Sequence, residues 1–339
     1  MANVEGAAPN RYSRPARPAG LSERFRAVGQ TYGALLALLL LLAYNAAFTP
    51  NFLARQTLLV NLTQVATIVI VAVGMTLVIA TGGIDLSVGS LMAISGALAP
   101  LIFLSQRPPL NTPAVGVALA FVVPVLVAGL FGLFNGALVT RYRIQPIIAT
   151  LVLFIAGRGI AQVVTNGNLQ TFKNPAFQFI GLGRLFGIRF QIVLMLIIVA
   201  VTWWVMRRTT FGRYILAVGG NEAAARLAGV PVNRIKLAAY AISGLLSGIA
   251  GLIVIAINSS SDANLVGLNM ELDAIAAVAV GGTPLTGGRA TIVGTLIGAL
   301  IMQLIRYTLL ANGVQEAAAL VVKAGIIVLA VYIQRQGQS

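Results

Sequence analysis

The sequence predicts an all-α, polytopic membrane protein with about ten transmembrane helices, some of them broken at glycines. Hydrophobic residues make up 58% of the 339 residues and charged residues only 9%, whereas a soluble domain has roughly 25% charged residues. Apolar runs of about 20 residues, the length of a membrane-spanning helix, recur along the chain. One of these runs stops at a pair of glycines that is followed by an aspartate, in the order Gly82, Gly83 and Asp85.

The apolar runs divide the chain into one transmembrane domain and two short tails. Residues 1–30 are rich in Ala, Pro and Arg and are predicted to form a disordered basic cytoplasmic tail, and residues 335–339 form a second cytoplasmic tail. A signal peptide also has a basic start, but here the first apolar run continues as a full span. Within the domain 31–334, we place spans at 31–48, 58–80, 86–105, 114–139, 146–164, 190–206, 237–258, 271–284, 291–310 and 314–333.

The second of these spans ends within Gly74–Gly89, which reads GMTLVIATGGIDLSVG. A carboxylate at mid-bilayer depth costs roughly 2.5–3.5 kcal/mol, so such residues usually face a polar path or a partner. A broken helix is tolerated there only where protein or a water-lined cavity satisfies the free backbone groups. The stretch indicates a passage through the membrane. Asp85 either caps the next helix or lines the substrate path, and one side chain can do both.

The positive net charge of +15 indicates membrane orientation rather than nucleic-acid binding. Basic residues cluster before the first span and in the loop 207–236, as is typical of cytoplasmic flanks. Counting alternate loops places both termini in the cytoplasm.

Missing residue types and motifs exclude several kinds of chemistry. The chain has no Cys and no His, which rules out disulfides, the usual zinc sites and Ser–His or Cys–His nucleophiles. No metal site or cofactor is expected in this chain. No G-x-x-x-x-G-K-[ST] loop occurs either, so the chain cannot hydrolyse ATP by that route and is not expected to be an enzyme.

The loop 207–236 contains a short helix with clear end signals. Asn221 is suited to the N-cap, Glu222 is favourable in the first turn, and Gly229 is typical of a helix end. Ala223 and Ala224 lie between them. A short helix held in this way suits docking onto another protein; the alternative is a connector that touches nothing.

Three polar residues inside predicted spans are further candidates for the substrate path. Arg158 and Gln162 are four residues apart and therefore lie on one helix face. Arg158 falls near the middle of its span, where it needs either a counter-charge or a watery cavity. Asn135 is a weaker candidate, because a single Asn in a span more often holds two helices together.

Two acids at the start of the eighth span complete the set of path candidates. Glu271 and Asp273 are two residues apart and point to different helix faces, so they do not form a proton-sharing pair. Lys323 lies in the last span, either as a partner of these acids or with its charged end reaching the membrane surface.

A weak internal sequence repeat suggests where the chain has hinges. Gly82-Gly83-Ile-Asp-Leu-Ser-Val-Gly89 resembles Gly281-Gly282-Thr-Pro-Leu-Thr-Gly-Gly288. Paired glycine-interrupted segments in two halves point to a transport path, although a Gly-rich chain also produces such matches by chance. We expect Gly82, Gly83, Gly281 and Gly282 to act as hinges.

Four segments together resemble the ribose/xylose/galactose-type sugar permeases of ABC importers. Glu222-Ala223-Ala224 followed by Gly229 is similar to the EAA loop, which sits in a groove of the ATPase, although the more distant Ile and Leu-Pro of the strict version are missing. Arg158 with Gln162, and Ser261–Asn264 before Glu271, look closest to the galactofuranose branch. The segments are GMTLVIATGGIDLSVG (74–89), ATLVLFIAGRGIAQ (149–162), AVGGNEAAARLAGV (217–230) and ELDAIAAVAVGGTPLTGGR (271–289).

The resemblance implies a permease subunit in a bacterial inner membrane that moves a monosaccharide. Its implied partners are a second permease copy, identical or related, an ATPase subunit that binds ATP and Mg, and a periplasmic sugar-binding protein. Two other classes of protein stay open at this point. A self-contained ion-coupled transporter would use the intramembrane carboxylates as ion sites, and an intramembrane protease would pair Asp85 with Asp273.

Overall fold

A computed structural model describes residues 21–336 of the chain. Of the predicted tails, residues 1–20 and 337–339 lie outside the described residues. The first helix begins at Leu21, which is inside the region predicted as a tail. The predicted disorder of the remaining tail residues stays a prediction.

The described residues form thirteen helices and two small two-stranded sheets. The strands are β1 (Gln170–Thr171), β2 (Arg184–Leu185), β3 (Ile188–Arg189) and β4 (Ser260–Ser261), and β1 pairs with β4 and β2 with β3, both antiparallel. The helices are α1 (Leu21–Phe48), α2 (Arg55–Ala80), α3 (Val88–Phe103), α4 (Pro113–Thr140), α5 (Pro146–Val164), α6 (Pro175–Leu182), α7 (Phe190–Arg208), α8 (Thr210–Gly220), α9 (Glu222–Leu227), α10 (Val232–Asn258), α11 (Met270–Val280), α12 (Ile292–Ala311) and α13 (Glu316–Gln336).

The all-α class is confirmed, and each predicted span coincides with a helix. Six of these helices (α2, α4, α5, α7, α10 and α12) are long and apolar enough to cross a membrane. Gly33–Phe48 of α1 and all of α3 are apolar but shorter, and α11 has only 11 residues. The count of ten spans is therefore approximate, because some helices start or stop within the bundle.

The break after α2 is a regular helix end rather than an irregular kink. Gly82 adopts a positive φ of 81°, its amide donates to Ile79 O at 2.8 Å, and the amide of Gly83 donates to Val78 O at 3.1 Å. This pair of hydrogen bonds is the Schellman motif, in which a glycine is favoured at the left-handed position. The freed carbonyls are satisfied within the chain, as a break inside a membrane requires.

Helix α11 ends in the same motif, but in a different register from the predicted internal repeat. Gly282 has φ 86°, its amide donates to Ala279 O at 2.9 Å, and the amide of Thr283 donates to Val278 O at 3.2 Å. Gly82 therefore corresponds to Gly282 and not to Gly281. The letters match one residue earlier, whereas the hydrogen bonds select the glycine that follows the helix cap.

Helices α2 and α10 form the centre of the bundle, and α10 packs against α2, α3 and α4. Small residues allow close approach of the backbones, as is typical between membrane helices. A Cβ atom on Gly244 of α10 would lie 3.1 Å from the Cα of Gly132 of α4. The core of the bundle is thus dense enough to fix the positions of the polar side chains inside it.

The two ends of the bundle differ in charge. At one end, here called the basic end, the α4–α5 turn, helices α8 and α9 and the α11–α12 loop lie together; the other end carries both small sheets and α6. Trp203 near the end of α7 packs under Arg207 at 5.3 Å, as expected at a membrane interface. The basic end carries Arg141, Arg143, Arg207, Arg208, Arg213, Arg226, Arg234, Lys236 and Arg289.

Between β4 and α11 the chain turns back into the bundle. This re-entrant segment comprises residues 262–269. Val266 and Gly267 within it are buried against Gly96 and Gly89 of α3. Such a non-helical segment is tolerated at membrane depth when protein or water satisfies its backbone.

Candidate functional site

A buried polar cluster surrounds Asp85 at the break between α2 and α3. Asp85 Oδ1 accepts from the amide of Ser87 at 3.0 Å and from its hydroxyl at 2.6 Å. Asp85 Oδ2 accepts from the hydroxyl of Ser243 on α10 at 2.9 Å. The Asn135 amide on α4 donates to Ser87 Oγ at 2.8 Å. All four residues are buried.

This cluster joins the break to α4 and α10. Asp85 accepts a hydrogen bond from the amide of Ser87, the N-cap residue of α3, so it fixes the turn before the helix rather than capping the helix itself. It also accepts a hydrogen bond from Ser243 of α10. Asn135 links helices, as a lone Asn in a span usually does. In this conformation neither side chain is open to a solute, and their role in a path stays a prediction.

Arg158 and Gln162 of α5 hold the re-entrant segment. Arg158 Nη1 lies 2.9 Å from Ala263 O and 2.8 Å from Val266 O, and Gln162 Nε2 donates to Asn264 Oδ1 at 2.7 Å. The two side chains share one helix face, as their spacing predicts. The arginine thus satisfies backbone carbonyls that would otherwise be unpaired at membrane depth.

The surface around Arg158 mixes polar and apolar side chains although it lies at bilayer depth. Arg158 is about 18 Å along the axis from the first residue of α5, given 1.5 Å per residue, within a hydrocarbon layer of roughly 30 Å. Asn264, Leu265 and Leu268 beside it are exposed. A surface that mixes charged, amide and leucine side chains at this depth suits a water-filled path better than lipid.

Glu271 and Asp273 do point to different faces of α11. Glu271 is buried against Gly89 of α3, and its Oε2 has no hydrogen-bond partner among the described residues. Asp273 forms an ion pair with Lys323 of α13. Lys323 is therefore a partner of one of the two acids, which the sequence left open.

Helix α9 confirms the predicted short helix in the loop 207–236. Asn221 Oδ1 accepts from the amide of Ala224 at 2.9 Å, which is a regular N-cap. Gly229 follows the helix with φ 78°. Glu222 bonds Lys236 of α10 at 2.5 Å and Arg226 at 3.0 Å. The hydrogen bond from Lys236 lowers the pKa of the Glu222 carboxyl below its ordinary value of 4.5.

The lowered pKa of Glu222 makes the anchoring of α9 dependent on pH. Because the folded-state pKa lies below the ordinary value, the stabilisation is complete above about pH 4.5 and is lost as the pH falls through the lower folded-state pKa. Since the side chain is partly exposed, we expect a small effect on global stability.

We predict that Glu222→Gln loosens α9 locally at neutral pH, where the wild-type carboxylate is ionised. Amide hydrogen exchange of residues 222–228 should be several-fold faster, with little change in the melting temperature. Glu316→Gln is the matched control, because it breaks the exposed pair with Arg306 at the other end of the bundle. Equal exchange in α9 of wild type and Glu222→Gln would contradict the anchoring.

Helix α9 has two distinct outer faces. Glu222 turns towards α10 through its ion pair with Lys236, and Arg226 donates a hydrogen bond to Asn233 of α10. Ala225 is buried. Leu227, about 100° further round the helix, is 91% exposed. The sequence analysis missed Leu227, whose signal is a leucine directly before the helix end, followed by Ala228 and Gly229.

Helix α8 and its contacts were also missed by the sequence analysis. Gly212, Ile215 and Val218 form its buried stripe, a three-residue spacing that the glycines around it obscure. At its end, Gly219 lies directly against Ala80 O and the amide of Gly288. We call this three-way contact of Gly219, Ala80 and Gly288 the glycine junction.

The glycine junction connects α9 with the break after α2. The amide of Gly288 donates to Ala80 O at 3.0 Å, and Gly287 packs against Gly82. Helix α9 begins two residues after Gly220. Backbone contacts at the end of α8 therefore join the segment next to α9 to the end of α2 and the loop after α11, without long side chains between them.

Comparison with known proteins identifies the family of this chain. Residues 57–331 match the family described as Branched-chain amino acid transport system / permease component. The ribose import permease protein of Escherichia coli K12 is 42% identical over 308 residues, covering 90% of this chain and 93% of that protein. The galactofuranose transporter permease protein of the same strain is 39% identical, covering 89% of each chain. No solved structure matches the chain.

A third relative is named as an ABC transporter permease. This L-arabinose permease protein of Azospirillum brasilense is 36% identical over 299 residues, covering 88% of this chain and 86% of that protein. The resemblance to sugar permeases of ABC importers is confirmed, and it favours this class over a self-contained ion-coupled transporter. The identities do not separate the galactofuranose branch from the ribose permeases. The chain belongs to the Branched-chain amino acid transport system / permease component family and is a multi-pass membrane permease.

Proposed function

We propose that this chain is the transmembrane permease subunit of an ABC importer for a monosaccharide in a bacterial inner membrane. The observation that carries the proposal is helix α9, which lies at the basic end with an exposed leucine and is joined to the α2 break by the end of α8 through the glycine junction. The relatives named as ribose, galactofuranose and arabinose permeases support a sugar as the solute.

The proposed partners follow from the two ends of the bundle. The basic end faces the cytoplasm by the positive-inside rule, so both termini are cytoplasmic there. A separate ATPase chain that binds ATP and Mg docks on the coupling residues Asn221, Glu222, Ala223, Ala224 and Gly229. A periplasmic sugar-binding protein docks at the opposite end, where Phe186 is 95% exposed at the tip of the β2–β3 hairpin.

The proposed path runs along the Arg158 face of α5 and the re-entrant segment, where a second permease copy completes it. Arg158, Gln162 and Asn264 offer amide and guanidinium groups of the kind that replace water around sugar hydroxyls. Glu271 and Asp273 lie on α11, on the core side of this surface. The buried Asp85 cluster leaves no opening for a solute through the core of one chain. We therefore place the path between two copies.

The proposed mechanism is alternating access around the two helix breaks. ATP-driven closure of the ATPase pair moves α9, and the glycine junction passes this movement to the ends of α2 and α11. Gly82 and Gly83 act as one hinge, and Gly281 and Gly282 as the other. The packed helices on either side move as units because dense interiors do not deform continuously.

We predict that Leu227→Asp prevents the co-expressed ATPase from co-purifying with the permease, because a charge replaces the apolar side chain at the contact. Retention should fall at least ten-fold at an unchanged melting temperature. Phe186→Asp is the matched control, since it places the same charge at the other end. It should retain the ATPase but lose stimulation of ATP hydrolysis by the sugar-loaded binding protein.

Two results would contradict this proposal. Full ATPase retention by Leu227→Asp would remove α9 as the docking element. Uphill sugar transport by the purified chain in vesicles without an ATPase would favour an ion-coupled transporter instead.

A further inference from the structure

A cavity of about 860 Å³ opens at the basic end, and of its lining residues only Glu222 belongs to the proposed ATPase contact. One wall is the α4–α5 turn, and the other is formed by α9 and the first turns of α10. Its basic lining residues outnumber the single carboxylate, Glu222. They are Arg141, Arg143, Arg226, Arg234 and Lys236.

Three of these cations have no counter-charge. Glu222 is already bonded to Lys236 and Arg226. Arg141, Arg143 and Arg234 make no side-chain hydrogen bond or ion pair among the described residues. Several unpaired positive charges around one concave site repel each other and create a field that attracts an anion.

The cavity lies beside an apolar surface. Pro146, the first residue of α5, lines the cavity, and Ile147, Ile148 and Leu151 directly after it are exposed. Tyr142, between the two arginines of the turn, is also exposed, as is typical of aromatic side chains at a membrane interface. An anion with attached hydrocarbon chains fits both parts of this surface.

Apart from Glu222, the proposed ATPase contact lies on other faces of α9 than the cavity. Glu222 and Arg226 line the cavity and turn towards α10, whereas Leu227 points away from both and is exposed. A partner on the Leu227 side therefore leaves the cavity open to the membrane surface.

We propose that this cavity binds the phosphate headgroup of an anionic phospholipid from the cytoplasmic leaflet. Arginine is suited to the ligand, because its planar guanidinium donates two parallel hydrogen bonds to a phosphate. Arg141 and Arg143 hold the phosphate from one wall and Arg234 from the other. The acyl chains lie along the exposed start of α5. A bound lipid thus bridges the α4–α5 turn and the base of α10.

The test compares two triple variants of the full chain with the same loss of charge. Arg141→Gln, Arg143→Gln and Arg234→Gln remove the unpaired cations of the cavity. Arg55→Gln, Arg107→Gln and Arg184→Gln remove three arginines outside it. Binding of each detergent-purified protein to phosphatidylglycerol and phosphatidylcholine is measured by native mass spectrometry, with melting curves recorded in parallel to verify folding.

We expect the cavity variant to bind phosphatidylglycerol at least ten-fold more weakly, while the control triple binds it within two-fold of wild type. Phosphatidylcholine should bind all three proteins weakly. Equal phosphatidylglycerol binding by the two triples would overturn the proposal. The proposal would also be overturned if inorganic phosphate alone raised the melting temperature of wild type as much as phosphatidylglycerol does, because this would indicate a small-anion site. Loss of ATPase co-purification with unchanged lipid binding would assign the surface to the ATPase and overturn the proposal as well.

Discussion

Asp85→Ala is expected to destabilise the protein by about 3 kcal/mol, because it leaves the Ser87 amide and the Ser243 hydroxyl as buried donors without an acceptor. The loss removes the link from the helix break to α10. We expect a melting temperature several degrees lower in detergent, together with poor membrane expression. Thermal unfolding of the purified protein followed by tryptophan fluorescence provides the measurement.

Asp262→Ala is the matched control. Asp262 Oδ1 also accepts from the amide two residues ahead, Asn264, at 2.8 Å, but this hydrogen bond is exposed and Asp262 is only half-buried. Water replaces the lost acceptor there, so the melting temperature should stay within about a degree of wild type, as for most surface substitutions. An equal effect of the two alanine variants would show that burial of the Asp85 cluster does not matter.

Asp85→Asn separates the structural role from a role in the path. The amide oxygen still accepts the Ser87 amide, and the serine hydroxyls can rotate to accept from its nitrogen. We expect this variant to keep most of the stability of wild type and to take up sugar within two-fold of the wild-type rate. Normal melting with uptake reduced more than ten-fold would instead assign the carboxylate to the substrate path.

Much of the architecture follows from local features of the sequence. The spans were predictable because a membrane helix must satisfy its own backbone over about 20 apolar residues. Helix α9 was predictable because Asn221 and Gly229 mark its two ends independently of the rest of the fold. Arg158 and Gln162 share a face because helix geometry alone requires it.

The partners of these residues depend on packing and were not predictable. Nothing local indicates that Arg158 bonds carbonyls a hundred residues away, or that Ser243 completes the Asp85 cluster. The repeat register was wrong by one residue because glycine pairs match as letters at several offsets, whereas only one offset repeats the Schellman hydrogen bonds. Leu227 and the glycine junction were missed for a related reason, since exposure and contact are properties of the folded chain.

Gly219→Ala is expected to separate helix α9 from the α2 break. A Cβ atom there would lie 2.5 Å from the Gly288 amide nitrogen and closer still to Ala80 O. Both neighbours are backbone atoms that cannot rotate away, so the end of α8 must shift at a cost of roughly 1–3 kcal/mol. The shift also strains the hydrogen bond from Gly288 to Ala80. Sugar uptake by reconstituted vesicles should fall more than ten-fold.

The docking surface of α9 is unchanged by this substitution, so the variant should still co-purify with its ATPase. Basal ATP hydrolysis should persist without stimulation by the loaded binding protein. This combination distinguishes a fault in transmission from a fault in docking, for which Leu227→Asp is the reference.

Gly220→Ala is the neighbouring control, because a Cβ atom on Gly220 meets nothing within 4 Å. Alanine also favours a helix over glycine by about 1 kcal/mol, so this variant should be as stable as wild type or more so, with normal uptake. If both alanine variants transport normally, the glycine junction carries no movement. If both fail equally, α8 requires flexible glycines rather than close contact. Only a difference between two adjacent residues of one helix supports transmission through the Ala80 and Gly288 backbone.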